Sequence, residues 1–171
     1  MDSKEKGVSL VEVLITVLMM TILLAAGFWG YRERGRELEL KRCVLEVSAN
    51  VERTREMAIS SRMEGTARPA GGYGIHFDKN QDYYVIFIDT NSNKQYDAGE
   101  EYKTLDLKQG TVIKSLAPLD QTDIVFIPPS PDVYINASET LEAEITIALS
   151  TDLNKSKKIN INQAGLIAVE N

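Results

Sequence analysis

Lys6-Gly7-Val8-Ser9-Leu10-Val11-Glu12-Val13-Leu14 is the stretch on which the reading of this chain turns. A polar leader, Met1 to Lys6, stops at Gly7, and an apolar run begins at once. From Val13 to Trp29 the polar side chains are Thr16 and Thr21, and with Val8, Leu10 and Val11 in front the run reaches bilayer-spanning length. A transmembrane helix is therefore expected over residues 8–30. Just inside it stands a carboxylate, Glu12. An ionised carboxylate at mid-bilayer costs about 2.5–3.5 kcal/mol or more, and such groups usually mark a partner or a function. The bland alternative is a glutamate that snorkels to the nearby interface.

The order of these parts differs from a secretory signal, which has a basic region, a short apolar core and small residues at a cleavage site behind it. Leu24-Ala25-Ala26-Gly27 imitates such a site only weakly. Lys6 to Leu14 instead resembles the processing motif of type IV pilins and type II secretion pseudopilins. The resemblance implies that a prepilin peptidase cuts after Gly7, that Val8 becomes the N-methylated first mature residue, and that Glu12 is the fifth. The commonest first mature residue in the family is phenylalanine, so Val8 departs from the pattern. A new α-ammonium at Val8 is a natural counter-charge for Glu12. Within one helix it would lie about 6 Å away along the axis, at 1.5 Å per residue, so a neighbouring subunit offset by one turn presents it more directly.

Working outward, Arg32, Arg34, Arg36, Lys41 and Arg42 follow the span, against Lys4 and Lys6 before it. A plain positive-inside count would put the C-terminal side in the cytoplasm. Glu33, Glu37 and Glu39 are interleaved among those cations, and the specificity of the motif at Gly7 outweighs the tally. Leu40, Val44, Val47, Val51 and Ala58 then recur at helical spacing and predict an amphipathic continuation to about Met63, ended by Gly65, Pro69 and Gly71-Gly72. Cys43 falls on the same stripe and reads as a small core residue.

From Tyr73 the pattern changes to short β-branched and aromatic runs between turn residues. Strands are expected at 73–78, 83–89, 101–106, 110–114, 123–127, 133–136, 142–149, 157–162 and 165–169, with Tyr83 to Ile88 central. Pro128, Pro129 and Pro131 bar continuous pairing and mark a loop or an edge. The expected fold is α+β: a long N-terminal helix, transmembrane in its first half (8–30) and packed by its second (31–64) on an antiparallel, sandwich-like head (65–171), behind a leader (1–7). Within the superfamily the head resembles the type II secretion H-subunit and FimT-like group, through Gly72-Tyr73-Gly74-Ile75-His76-Phe77, Tyr84 to Asp89 with the polar loop behind it, and a closing strand near Gly165.

That polar loop offers a candidate cation site. Asp89, Asn91, Asn93, Asp97 and Glu100 stand at positions 1, 3, 5, 9 and 12 of an EF-hand-like calcium loop, with the Gln95 carbonyl at 7. Position 6, where glycine makes the sharp turn, is Lys94. The alternative is an Asn/Asp-rich connection whose side chains bond their own backbone. His76, the single histidine, should face away from Ile75 and Phe77 on its strand and is a weak metal or catalytic candidate. Ser60-Ser61 and Ser150-Thr151 sit in no nucleophile elbow, and no phosphate-binding glycine loop occurs. No enzyme chemistry is expected, and calcium is the one candidate cofactor.

The formal net charge of −6 argues against a nucleic-acid partner. A DNA-binding minor pilin for natural transformation is the alternative function. It is disfavoured because Gly165 is followed by Leu166, Ile167, Ala168 and Glu170, and the nearest basic residues are Lys155, Lys157 and Lys158. The resemblance implies a structural subunit held in the bacterial inner membrane by one pass, with its head outside the cytoplasm. Its implied partners are the membrane, prepilin peptidase, an assembly platform and other pilin or pseudopilin subunits, in a type II secretion pseudopilus or a type IV pilus.

Overall fold

The computed structural model describes residues 7–60, 69–127 and 133–170, with the side chains of 28–33 set aside. It divides into two compact units, 1–37 and 38–171. One helix, α1 (Leu10–Ile59), runs through the first unit and into the second. It ends four residues before the expected Met63, and Gly65 lies outside the described residues.

In the first unit the opening turns of the helix are mostly apolar, with Glu12 in the first turn. Leu10–Gly27 is long and apolar enough to cross a membrane, and none of it is buried. Its two threonines do not leave polar groups unmatched. The Thr16 hydroxyl donates to the Val13 carbonyl and the Thr21 hydroxyl to the Leu18 carbonyl, each at 2.8 Å. The two hydroxyls are thus satisfied within the helix, as a lipid environment demands.

The second unit is built on the amphipathic stripe. Leu40, Val44, Val47, Val51, Thr54 and Ala58 are buried at steps of three and four, with Cys43 beside Val44, so one face of α1 enters the core. Cys43 is in this stripe, its Sγ 3.3 Å from the Thr111 hydroxyl. Nine strands follow: β1 (Tyr73–Asp78), β2 (Tyr83–Ile88), β3 (Glu101–Asp106), β4 (Thr111–Ala117), β5 (Gln121–Phe126), β6 (Val133–Ile135), β7 (Ala143–Leu149), β8 (Asp152–Ile161) and β9 (Ile167–Glu170). They form a five-stranded sheet in the order β3-β2-β1-β5-β6 and a four-stranded sheet in the order β4-β7-β8-β9, with antiparallel pairing in both. The helix stripe shares one core with Tyr73, Ile75, Phe77, Ile124 and Phe126 of the first sheet and Ile113, Ile145, Ile147, Ile159 and Ile161 of the second. Tyr84 also faces it. Its hydroxyl accepts a 2.7 Å bond from Asn50 Nδ2, and burial pushes its pKa up to about 12.

Two strand expectations change. β1, not β2, holds the centre of the first sheet, because β5 returns to pair along the whole of β1. β8 begins at Asp152 rather than 157. Asp152 to Ser156 shows one apolar side chain and no clean alternation, yet its two ends pair with β7, Asp152 opposite Leu149 and Ser156 opposite Ala148, across a register shift. The Pro128 to Pro131 segment lies outside the described residues.

Candidate functional site: the N-terminal motif and the loop on the outer sheet face

Gly7, Val8 and Ser9 precede the helix, and α1 opens with the amides of Glu12 and Val13 donating to the Ser9 carbonyl at 3.0 and 3.2 Å. The Gly7–Val8 peptide therefore lies on open, exposed chain, with no heavy atom near the place where a Gly7 Cβ would stand. Glu12 sits in the first helical turn and is exposed. Ser9 and Glu12 have the spacing of a capping box, and a carboxylate in the first turn is favoured by the positive end of the helix dipole, by about 0.3–1 kcal/mol. This second role for Glu12 is legible as Ser-x-x-Glu and is independent of any partner. Processing at Gly7 and Val8 and an assembly contact at Glu12 are proposals taken up below.

The 89–100 segment is closed by its own hydrogen bonds. Asp89, fully buried, accepts from the Ser92 amide at 2.6 Å and the Lys94 amide at 2.9 Å. Glu100 Oε1 accepts from the Thr90 amide and hydroxyl at 2.8 and 2.7 Å, and its Oε2 from the Asp97 amide at 3.2 Å. Asn91 and Asn93 both donate their side-chain amides to Asp97 Oδ2, at 2.8 and 2.7 Å. The Gln95 and Asn93 amides bond Asn93 and Asn91 side-chain oxygens in turn. Lys94 adopts a left-handed φ of 64°, the conformation for which a calcium loop uses glycine at this position. Its ammonium lies 3.6 Å from the Tyr134 ring centroid. The backbone path thus follows the calcium-loop expectation at position 6, while the side chains of Asn91 and Asn93 turn donors, not lone pairs, toward Asp97. Among the described residues no group of three His, Cys, Asp or Glu is placed to hold a metal ion. As arranged, Asp89, Asn91, Asn93, Gln95, Asp97 and Glu100 make the hydrogen-bonded turn that was the alternative reading. A cation would have to overturn both Asn amides.

What the loop covers has no signature in the sequence. Strand alternation points Gly74, His76 and Asp78 of β1, Val85 and Phe87 of β2, and Asp123 and Val125 of β5 away from the helix. Yet Phe87 and Val125 are fully buried, and Val85 and His76 are 5% and 8% exposed. The loop folds back over His76 and Phe87. The Tyr96 ring lies 4.5 Å from the His76 ring and 5.4 Å from that of Phe87, centroid to centroid. Gly74 is required beneath, since a Cβ there would come within 2.2 Å of the Phe87 ring.

At the centre of this second small core, His76 Nδ1 stands 2.6 Å from Asp123 Oδ1 and Nε2 stands 3.3 Å from Asp78 Oδ2. The other oxygen of Asp123 accepts from the Tyr96 amide at 3.3 Å, tying the loop backbone to β5. Burial lowers the imidazole pKa, but the hydrogen bonds and charges of Asp123 and Asp78 outweigh it and raise it above the ordinary 6.5. With both ring nitrogens against carboxylates, neither is free to serve as a base toward a substrate. Asp78, two residues on and on the same strand face, is legible as a partner. Asp123, 47 residues away, is not.

Comparisons with known proteins bear on the N-terminal segment most directly. Residues 2–28 match the model of the prokaryotic N-terminal methylation motif. No curated protein matches the chain by sequence. Two crystal structures of the type IV minor pilin FimU of Pseudomonas aeruginosa are similar to it. The form in space group P21 has 14% identity, covers 80% of this chain and 91% of that one, and gives a TM-score of 0.49. The form in space group P65 has 15% identity, covers 77% and 93%, and gives 0.46. Gly7, Glu12 and the apolar start of α1 lie, in that order, within the segment that the methylation-motif model matches.

Proposed function

We propose that the chain is a minor pilin or pseudopilin, a structural subunit that initiates or caps a type II secretion pseudopilus or a type IV pilus. The observation that carries this is the methylation motif over residues 2–28, which contains Gly7 and Glu12 and takes in a helical segment, Leu10–Gly27, that is apolar and unburied among the described residues. In this reading residues 1–7 are a leader removed by prepilin peptidase, and Val8 becomes the methylated N-terminus. Residues 8–30 anchor the protein in the bacterial inner membrane and later join the helices of sister subunits, 31–64 back the head, and 65–171 form that head outside the cytoplasm. Glu12 receives the α-ammonium of a neighbour, which removes the cost of burying a lone carboxylate. Leu38 and Leu45, seven residues apart and more than half exposed, continue the helix's apolar character on its solvent side and suit contact with another helix. The subunit does no chemistry; an assembly platform and its ATPase do the work.

Intact-mass measurement on membrane-extracted protein tests the reading. The expected product lacks Met1 to Gly7 and carries one added methyl group. An intact leader, or a new N-terminus near Gly27, would overturn it.

A further inference from the structure

We propose that His76, clasped between Asp78 and Asp123 beneath the Tyr96 ring, is a protonation-dependent latch that holds the 89–100 loop against the outer face of the first sheet. The geometry requires a charged imidazole. A neutral ring has one donor, so with both nitrogens facing carboxylate oxygens one lone pair would point at a negative charge. The protonated ring donates at both ends and offsets two carboxylates on one sheet face, where otherwise they would stand with no cation between them.

The loop is coupled to that charge through two groups. Asp123 bonds His76 through one oxygen and the Tyr96 amide through the other, and the Tyr96 ring lies on the imidazole. Asp78 faces the ring from β1 and Asp123 from β5. Across Tyr96 lie Glu101 of β3, which accepts from its hydroxyl at 2.5 Å, and Tyr83 at the start of β2. Val85 of β2, directly opposite His76, adds no charge. On the loop itself the nearby cation is Lys94, whose ammonium is turned onto the Tyr134 ring, so the groups set against His76 are acids and a phenol.

The sign follows from the raised value of the closed state. A group whose folded pKa is raised contributes fully below its ordinary value and loses that contribution as pH climbs through the raised one. The latch is held closed below the ordinary 6.5 and loosens as pH climbs through the raised value. Each pH unit separating the closed-loop and open-loop midpoints corresponds to about a tenfold change in the loop's opening equilibrium.

Because the chain contains one histidine, its imidazole resonance in the full-length protein in detergent micelles reports this site without assignment ambiguity. The expected midpoint lies above 6.5, and the exchange protection of the Tyr96 and Lys94 amides, corrected for intrinsic rate, falls with that same midpoint. His76→Gln should show low protection that no longer varies with pH. Tyr96→Leu keeps the histidine and both carboxylates, so its midpoint should remain raised while the loop amides exchange freely. A histidine midpoint at or below 6.5, loop protection that stays flat as His76 titrates, or a pH dependence that persists in His76→Gln would each overturn the proposal.

Discussion

Gly74→Ala should destabilise the second unit through one identifiable collision. Gly74 has no positive φ, so the backbone accepts alanine without strain. The added Cβ would stand 2.2 Å from Phe87 Cζ and 2.4 Å from Cε1, against about 3.5–4.0 Å for an unstrained carbon pair. The ring must move by more than 1 Å, yet it is fully buried and has the Tyr96 ring 5.4 Å away. Overpacking of this kind costs about 1–3 kcal/mol. Loss of glycine's unfolded-state entropy returns about 0.4–1 kcal/mol, leaving a net loss of about 1–2 kcal/mol. Phe87→Leu removes the ring and leaves a partial void, costing about 1–2 kcal/mol by comparison with full truncation to alanine. In the double variant the methyl fills part of that void, so the two losses should fall short of additivity by about 1 kcal/mol or more. Urea unfolding of the detergent-solubilised chain, followed by near-ultraviolet circular dichroism, measures each corner of the cycle. With a slope of about 2 kcal/mol per molar, a 2 kcal/mol loss moves the midpoint by about 1 M. Additivity to within about 0.5 kcal/mol would show that the methyl is absorbed by the backbone and that the ring does not sit as described.

Two further expectations concern the candidate sites. Glu12→Leu should leave processing and membrane insertion intact but accumulate as membrane-held monomer with reduced crosslinking to sister subunits. Wild-type crosslinking in that variant would reduce Glu12 to a helix-start residue favoured by the dipole. Calcium titrated calorimetrically into the full chain should bind in the millimolar range or not at all, because the Asn91 and Asn93 amides must first leave Asp97. Micromolar binding that Asp89→Ala abolishes would contradict that.

The parts of the fold set by local periodicity are legible in the amino-acid sequence. Leu40, Val44, Val47, Val51 and Ala58 announce the buried helix face, and the alternation in Tyr73 to Phe77 announces which side of β1 enters the core. The polar first half of β8 is not legible, since it meets β7 only at Asp152 and Ser156, across a register shift that no side-chain pattern marks. Nor is the rank of β1 over β2, which depends on where β5 returns. At the N-terminus the motif speaks through residue order alone, because Gly7, Val8 and Glu12 are close neighbours in chain and chemistry. The His76 cluster is hidden for the opposite reason: its partners arrive from β5 and from the loop. The same applies to the 89–100 segment, whose spacing suggests ligands for a cation while its buried role is to seat Tyr96 on the sheet.

That seating bears on how such a protein keeps to itself. A chain gathered at a membrane by its N-terminal segment meets its copies at far higher density than one free in solution. The Phe87 ring, stripped of Tyr96, would leave an adhesive strip of ring surface on that sheet face. The 89–100 loop quarantines that strip. Shortening it would then be read out as clumping and poor yield, with no loss of any specific contact, and a screen that scores only partner binding would miss why its length matters.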